Sequence, residues 1–143
     1  MKFRYKKYAP GILRPVILIE IIYKNKSVSY EVLIDSGADF CIFDAQIGDI
    51  LGIPIKEGER FEVAGITGEK EPIYFHPLKI KVGGWEHKIK AAFLRKIGPY
   101  GYGVVGQRGF FDKFIVKFDL LKEEIALQPR GRKNSSKFRL KLT

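Results

Sequence analysis

Cysteine is nearly missing from this chain, with Cys41 alone among 143 residues. A single thiol excludes any intrachain disulfide framework, and a reducing, cytoplasmic setting is the simpler expectation. Cys41 lies in the apolar run Phe40-Cys41-Ile42-Phe43, which favours a buried structural thiol over a nucleophile. Histidine is also scarce: His76 and His87 are too few and too far apart in sequence to propose a metal site. No metal and no organic cofactor is expected. Long apolar runs are absent too. The longest stretch, Val16 to Ile22, is interrupted by Glu20 and falls far short of the roughly 20 residues of a membrane-spanning helix. The first residues are basic and aromatic with no apolar segment behind them, so no signal peptide is expected. The opening Met, with no attached polyprotein, points to a stand-alone cellular protein.

What is present is an ordinary globular composition, 45% hydrophobic, 13% aromatic and 29% charged, in a length that suits one domain with a real core. Lys plus Arg is 26 and Asp plus Glu is 16, giving +10. That balance favours acidic partners, nucleic acid first among them. The whole excess is matched, however, by Lys2, Arg4, Lys6 and Lys7 at the start and by Arg130, Arg132, Lys133, Lys137, Arg139 and Lys141 at the end. The body between them is close to neutral, so the basicity belongs to flexible or edge segments. Arg130 to Lys141 carry no convincing aromatic stacking platform, which leaves nucleic-acid binding as an accessory reading. The expected organisation is a basic N-terminal segment 1–11, one domain over 12–129 and a basic tail 130–143. The tail is expected to be mobile in isolation; the alternative is a late strand that pairs with a partner, since Phe138, Leu140 and Leu142 alternate with charges.

The pattern along the body is one of many short strands. Residues 12–23 and 28–35, rich in Val, Ile and Tyr around a polar turn at 24–27, predict a β-hairpin, with Pro15 suited to an edge. Phe40 to Phe43 predicts a short strand, and Asp44 to Leu51 a brief helix capped by Asp44 and ended at Gly52. Residues 59–65 and 69–75 predict a second hairpin around Gly65-Ile66-Thr67-Gly68. Leu78, Ile80 and Val82 alternate with Lys79 and Lys81, out of phase with Ile73 and Phe75, which predicts a bulge at Pro77. After Gly83-Gly84 a strand runs through Ile89 to Leu94. Trp85 reads as a hairpin or surface packing residue, and Tyr100 and Tyr102 as packing within a glycine-rich loop. Val104-Val105-Gly106 reads as a short buried strand, and Phe114 to Phe118 and Glu124 to Gln128 as the last two. The sum is an all-β barrel or sandwich with one or two short helical pieces.

The stretch that carries chemistry is Val32-Leu33-Ile34-Asp35-Ser36-Gly37-Ala38-Asp39. An apolar strand delivers one carboxylate into a turn made of a small hydroxyl residue and glycine, whose lack of a side chain lets another backbone approach. Two carboxylates about 3 Å apart cannot both ionise easily; they share one proton and divide the roles of base and acid. Only one such site occurs in this chain, so a paired-carboxylate hydrolase would need a second copy. Asp35 and Ser36 merely capping a turn is the plainer alternative.

The surrounding motifs resemble those of the retropepsin-like aspartic proteases, the retroviral proteases and their cellular relatives. Leu33 to Asp39 resembles the family's catalytic strand and turn, and Arg14-Pro15 the Arg-Pro upstream of it. Gly65-Ile66-Thr67-Gly68 is similar to the glycine-rich flap tip. Val104-Val105-Gly106 resembles the second apolar strand, whose glycine backs the catalytic loop, and Arg108 to Phe114 stands where the family has a short helix. The resemblance spans about residues 12–129. It implies an acid-protease β-barrel with a flap hairpin, no cofactor, and a homodimer that hydrolyses peptides. In that picture Asp35 of each copy activates water, Ser36 braces the two loops across the axis, Gly37 and Ala38 complete the turn, and Asp39 holds substrate. Peptide cleavage is expected to be best at mildly acid pH. The family's usual Arg after the second-strand glycine is replaced by Gln107, so Arg14 or Arg108 is expected to brace the loop. Two rival readings stand beside this one: a barrel that binds or regulates without efficient turnover, and a basic β-barrel that binds nucleic acid.

Overall fold

The computed structural model describes residues 1–64, 67–95, 97 and 101–131. The first strands are β1 (Lys2–Arg4), β2 (Lys6–Ala9), β3 (Ile12–Arg14), β4 (Val16–Tyr23), β5 (Lys26–Ile34) and β6 (Cys41–Asp44). Helix α1 (Ala45–Leu51) and one 3₁₀ turn (Ile55–Glu57) follow, then β7 (Glu59–Ala64), β8 (Lys70–Val82), β9 (Trp85–Leu94), β10 (Gly103–Val105), β11 (Phe114–Asp119) and β12 (Glu124–Pro129). The main sheet runs β4-β5-β10-β6-β9-β8-β7, and a further β4–β8 pairing closes six of its strands into a barrel with β7 outside. Closure removes the free edges of the six barrel strands, and β7 is left as the edge strand of this sheet.

Alternation along the strands decides what fills the barrel. Ile17, Ile19 and Ile21 of β4 and Tyr30, Val32 and Ile34 of β5 point inward, joined by Phe43, Phe93, Val105, Phe110 and Phe114. Each fully buried Ile or Phe contributes about 1.5–3 kcal/mol relative to exposure. A smaller cluster of Ile73, Phe75 and Ala92 lies apart from it, with Phe40, Ile42, Val63 and Leu94 packed around it.

Local signals place the short helix as expected. Asp44 accepts the Gln46 N–H at 2.9 Å, and Gly52 at φ 77° ends the helix, the left-handed position a glycine fills without strain. Three other expectations are corrected. The first hairpin pairs β4 with β5, but its first arm begins at Val16, because 12–14 instead pair with β2; Pro15, without an N–H, divides the two strands. No bulge occurs at Pro77, since β8 pairs with β9 in unbroken register from Tyr74↔Phe93 to Val82↔Trp85. The phase of burial changes there because the two faces of β8 serve two cores, Ile73 and Phe75 one and Leu78, Ile80 and Val82 the other. Arg108 to Phe114 forms successive turns rather than a helix. Phe111 and Asp112 donate to the carbonyls five residues back, whereas Phe114 and Lys113 both donate to Phe110. Gly109 at φ 105° takes the backbone out of the helical region between them.

Residues 1–11, distinguished in the sequence by charge, contribute β1 and β2. Strand β1 joins a second sheet of order β1-β12-β11, and the Met1 ammonium donates to the Leu127 carbonyl at 2.9 Å. Of the basic tail, residues 132–143 lie outside the described residues.

Candidate active site

Asp35 leaves the barrel at the end of β5, and backbone bonds hold it from both sides. Strand β10 runs parallel to β5, with Val104 opposite Leu33 and Val105 opposite Ile34. Past the paired residues the Asp35 N–H donates to the Val105 carbonyl at 3.0 Å, and the Ile34 N–H donates to the Pro15 carbonyl at 2.9 Å. The chain then reverses. Ala38 N–H donates to the Asp35 carbonyl at 3.1 Å, and Gly37 N–H donates to Asp35 Oδ1 at 2.8 Å. One carboxylate oxygen is thereby oriented by its own turn, while the side chain stays half-buried rather than sealed.

The segment after β10 clamps the far side of this turn. Gln107 N–H donates to the Ala38 carbonyl at 2.8 Å and Arg108 N–H to the Asp39 carbonyl at 3.0 Å, and Phe40 and Arg108 form a parallel bridge. Gly106 is what allows so close an approach. A Cβ there would lie 2.3 Å from the Ala38 carbonyl oxygen and 2.7 Å from that of Phe40, both backbone atoms with no freedom to swing aside. Val105 is fully buried beneath. The structure therefore brings together Asp35, Ser36, Gly37, Ala38 and Asp39 with Val104, Val105 and Gly106.

One side-chain bond to the turn comes from Gln107, which the sequence marked only as a departure. Gln107 Nε2 donates to the Ser36 carbonyl at 2.7 Å, a bond that pins the outer edge of the turn. Arg108 acts through its backbone: besides the bond to Asp39, its carbonyl accepts from Cys41 Sγ at 3.4 Å. Arg14 lies with its guanidinium 4.2 Å from the centre of the Tyr8 ring. The clue to Gln107 was positional, an amide directly after a buried strand's glycine; its partner is 71 residues away, out of reach of any local pattern.

Two hollows flank the turn. The smaller, about 380 Å³, is lined by Asp35 and Ala38 with Arg14, Ile42, Leu94 and Tyr102 among its walls. Tyr102, read from the sequence as loop packing, thus faces the same space as the acid, while Tyr100 lies outside the described residues. The larger hollow, about 800 Å³, has Asp39, Gln107 and Arg108 at one side and the rings of Phe40, Phe61 and Phe75 at the other. Those rings stack edge to face, with centroids 5.1 Å apart for Phe40 and Phe75 and 5.3 Å for Phe61 and Phe75, an arrangement aromatic quadrupoles favour.

The second hairpin, β7 with β8, runs in register from Glu59↔Phe75 to Ala64↔Lys70. At its tip Gly65 and Ile66 lie outside the described residues. Thr67 and Gly68 are exposed, and a Cβ placed on Gly68 would have nothing within 4 Å. Cys41 is fully buried, and loss of solvent pushes its thiol up to about 12, consistent with a structural thiol and not with a thiolate nucleophile. His76 is buried too, with Nε2 2.7 Å from the Ile55 carbonyl. Among the described residues no group of three or more His, Cys, Asp or Glu is arranged to hold a metal, and no helix is long and apolar enough to cross a membrane.

No family model matches the sequence, and no curated protein matches it. Among solved structures the chain is similar to a retropepsin-like aspartic protease from Rickettsia conorii, with a TM-score of 0.60 and 16% identity over 87% of this chain and 97% of that one. A second likeness is to EIAV protease complexed with the inhibitor HBY-793, with a TM-score of 0.49 and 20% identity over 65% of this chain and 81% of that one.

Proposed function

The chain carries the retropepsin-like fold, and on that premise we propose that it is an aspartic endopeptidase assembled from two copies. The observation that carries this reading is the setting of Asp35. Its backbone is tied to Val105 and Ala38, while its half-buried carboxylate borders an open hollow. A rigid backbone with a reachable acid is what a positioned general base requires. Each chain supplies one such acid, so the working pair is Asp35 of both copies.

The chemistry follows from two carboxylates sharing one proton. The ionised member takes a proton from a water held between them, and the water oxygen bonds to the scissile carbonyl carbon. The protonated member donates its proton to the carbonyl oxygen as negative charge develops there. Collapse of the resulting diol transfers a proton to the amide nitrogen and breaks the carbon–nitrogen bond, so no acyl-enzyme forms. Because the pair needs one proton bound, cleavage is fastest at mildly acid pH. The β7–β8 hairpin is the element to lie over an extended peptide and bond its backbone as an added strand, with Thr67 and Gly68 beside the tip. Asp39, at the rim of the larger hollow, binds the substrate's backbone or a basic side chain. Ser36 braces the two turns against each other.

Replacement of Asp35 by Asn tests the assignment. Asn preserves an oxygen for the Gly37 N–H, so the melting temperature changes little, while peptide cleavage falls by roughly a thousandfold or more. A folded Asp35→Asn variant that cleaves like the unaltered protein would remove Asp35 from the chemistry.

A further inference from the structure

The acid Asp35 faces the smaller of the two hollows, which leaves the larger one without a role. Its volume of about 800 Å³ lies within the roughly 300–1,000 Å³ of ligand pockets. Its floor is aromatic. Phe75 is 8% exposed and meets Phe40 on one side and Phe61 on the other. Phe61 stands on β7, the outermost strand of the main sheet, and is 48% exposed. A large ring half out of water at the end of an edge-to-face row leaves a face for one more apolar group.

The rim carries unpaired charge of mostly one sign. Four cations and three acids border the hollow, and two of those acids are already engaged. Glu59 pairs with Lys90 at 3.6 Å, and Asp112 Oδ1 accepts the Gly109 N–H at 3.0 Å. Lys88, Arg108 and Lys113 enter no ion pair among the described residues. Lys88 also stands directly opposite Lys79 across β8 and β9, a like-charge pairing that costs stability. Asp39 is the one acid left over, and it sits on the Asp35 turn, where the N–H of a bound peptide backbone suits it.

We propose that this hollow selects the substrate: it takes an aromatic side chain flanked by Asp or Glu, from a part of the peptide at a fixed distance from the bond cleaved. The choice of occupant rests on the proposed protease reading, because Asp39 of the turn and Phe61 of the β7–β8 hairpin both border the hollow. The incoming ring extends the row of Phe40, Phe75 and Phe61, while the flanking carboxylates meet Lys88, Arg108 and Lys113 in charge-assisted contacts. The same cations repel substrates that carry Lys or Arg at those places. The rings lie steeply tilted, at 79° and 83° between planes. They offer no flat platform for a run of bases, so nucleic acid is the poorer occupant.

Two readouts test this. Digestion of a peptide library made from a whole proteome, followed by mass spectrometry, shows an aromatic residue flanked by Asp or Glu enriched at one position relative to the cleaved bond. Phe61→Ala removes the aromatic enrichment, and Lys88→Glu with Lys113→Glu turns the charge preference towards Lys and Arg. The double variant keeps its fold, since Lys88→Glu sets an acid opposite Lys79. A profile without that enrichment, or one that is the same in all three proteins, overturns the proposal. The second readout needs no turnover: fluorescence anisotropy of labelled Glu-Glu-Phe-Glu-Glu bound to the Asp35→Asn chain. Affinity falls about tenfold or more when Phe61→Ala is added; with the two lysines replaced by Glu, Lys-Lys-Phe-Lys-Lys becomes the tighter ligand. Affinities that neither change moves overturn the role of the hollow. Binding that responds as stated, in a protein that cleaves no peptide with Asp35 intact, keeps the hollow and removes the protease reading. Oligothymidylate that displaces the acidic peptide and binds more tightly overturns the choice of a peptide.

Discussion

Gly106→Ala is the sharpest test of how the candidate site is held. The added methyl carbon would stand 2.3 Å from the Ala38 carbonyl oxygen and 2.7 Å from that of Phe40, about 1 Å short of ordinary contact at the nearer atom. Neither oxygen belongs to a flexible side chain, and the Ala38 carbonyl already accepts the Gln107 N–H at 2.8 Å. The turn therefore moves away from the 106–108 segment and stretches that bond. Overpacking costs about 1–3 kcal/mol, and a weakened hydrogen bond adds about 1 kcal/mol. At roughly 3–4 °C per kcal/mol for a domain of this size, melting falls by roughly 6–16 °C. The same displacement carries the Asp35 carboxylate off its position, and a misplacement of about 1 Å can cost a hundredfold in rate. Gly84→Ala is the control: Gly84 sits at φ 92° with nothing within 4 Å of a Cβ, so its cost is backbone strain alone, about 1–2 kcal/mol, with cleavage by the folded protein unchanged. Circular dichroism melts and kcat on one peptide, taken well below both transitions, compare the two. A Gly106→Ala protein with unshifted melting and full kcat would refute the clamp.

Gln107→Ala removes the bond to the Ser36 carbonyl; because the residue is exposed, stability drops by only about 0.5–1.5 kcal/mol, whereas kcat falls severalfold with KM little changed. Gln107→Glu sets a carboxylate against that carbonyl and lowers kcat further, an order of effects that a passive surface residue would not produce. Cys41 supplies a pH-dependent prediction. Its folded-state value is raised from 9.0 to about 12 by burial, so above pH 9 the unfolded chain releases a proton that the folded chain retains. Stability is therefore complete below pH 9 and declines as pH rises towards 12, by at most about 1.4 kcal/mol per pH unit. Cys41→Ala flattens this decline in denaturant titrations across that range, and an unchanged slope would contradict it. The native thiol also resists alkylation at pH 8 until the chain unfolds.

Readable in the sequence were features whose causes sit within a few residues of one another. Asp44 and Gly52 delimit α1 because capping acts over one turn. The Val, Ile and Tyr content of 12–23 and 28–35 around a polar turn marked the first hairpin pairing, although its first arm began later than its apolar residues suggested. Local periodicity misled at Pro77, where a change of phase read as a bulge is one strand serving two cores. It also misled over Arg108 to Phe114, where Gly109 adopts a conformation that interrupts a helix. Gln107 was visible only as an anomaly, since its meaning depends on the Ser36 carbonyl.

Taken alone, the order of residues decided that an acid would stand at the end of an apolar strand, in a turn permissive enough for close backbone approach. It decided as well that one chain holds only one such acid. What surrounds Asp35 was settled by pairings between distant segments: β10 beside β5, β6 beside β9, β4 closing on β8, and β1 folded back on β12. Those contacts are selected by the burial of whole strand faces against one another, a property of the assembled barrel rather than of any stretch within it. Only that assembly turns Gly106 from a small residue into a required one.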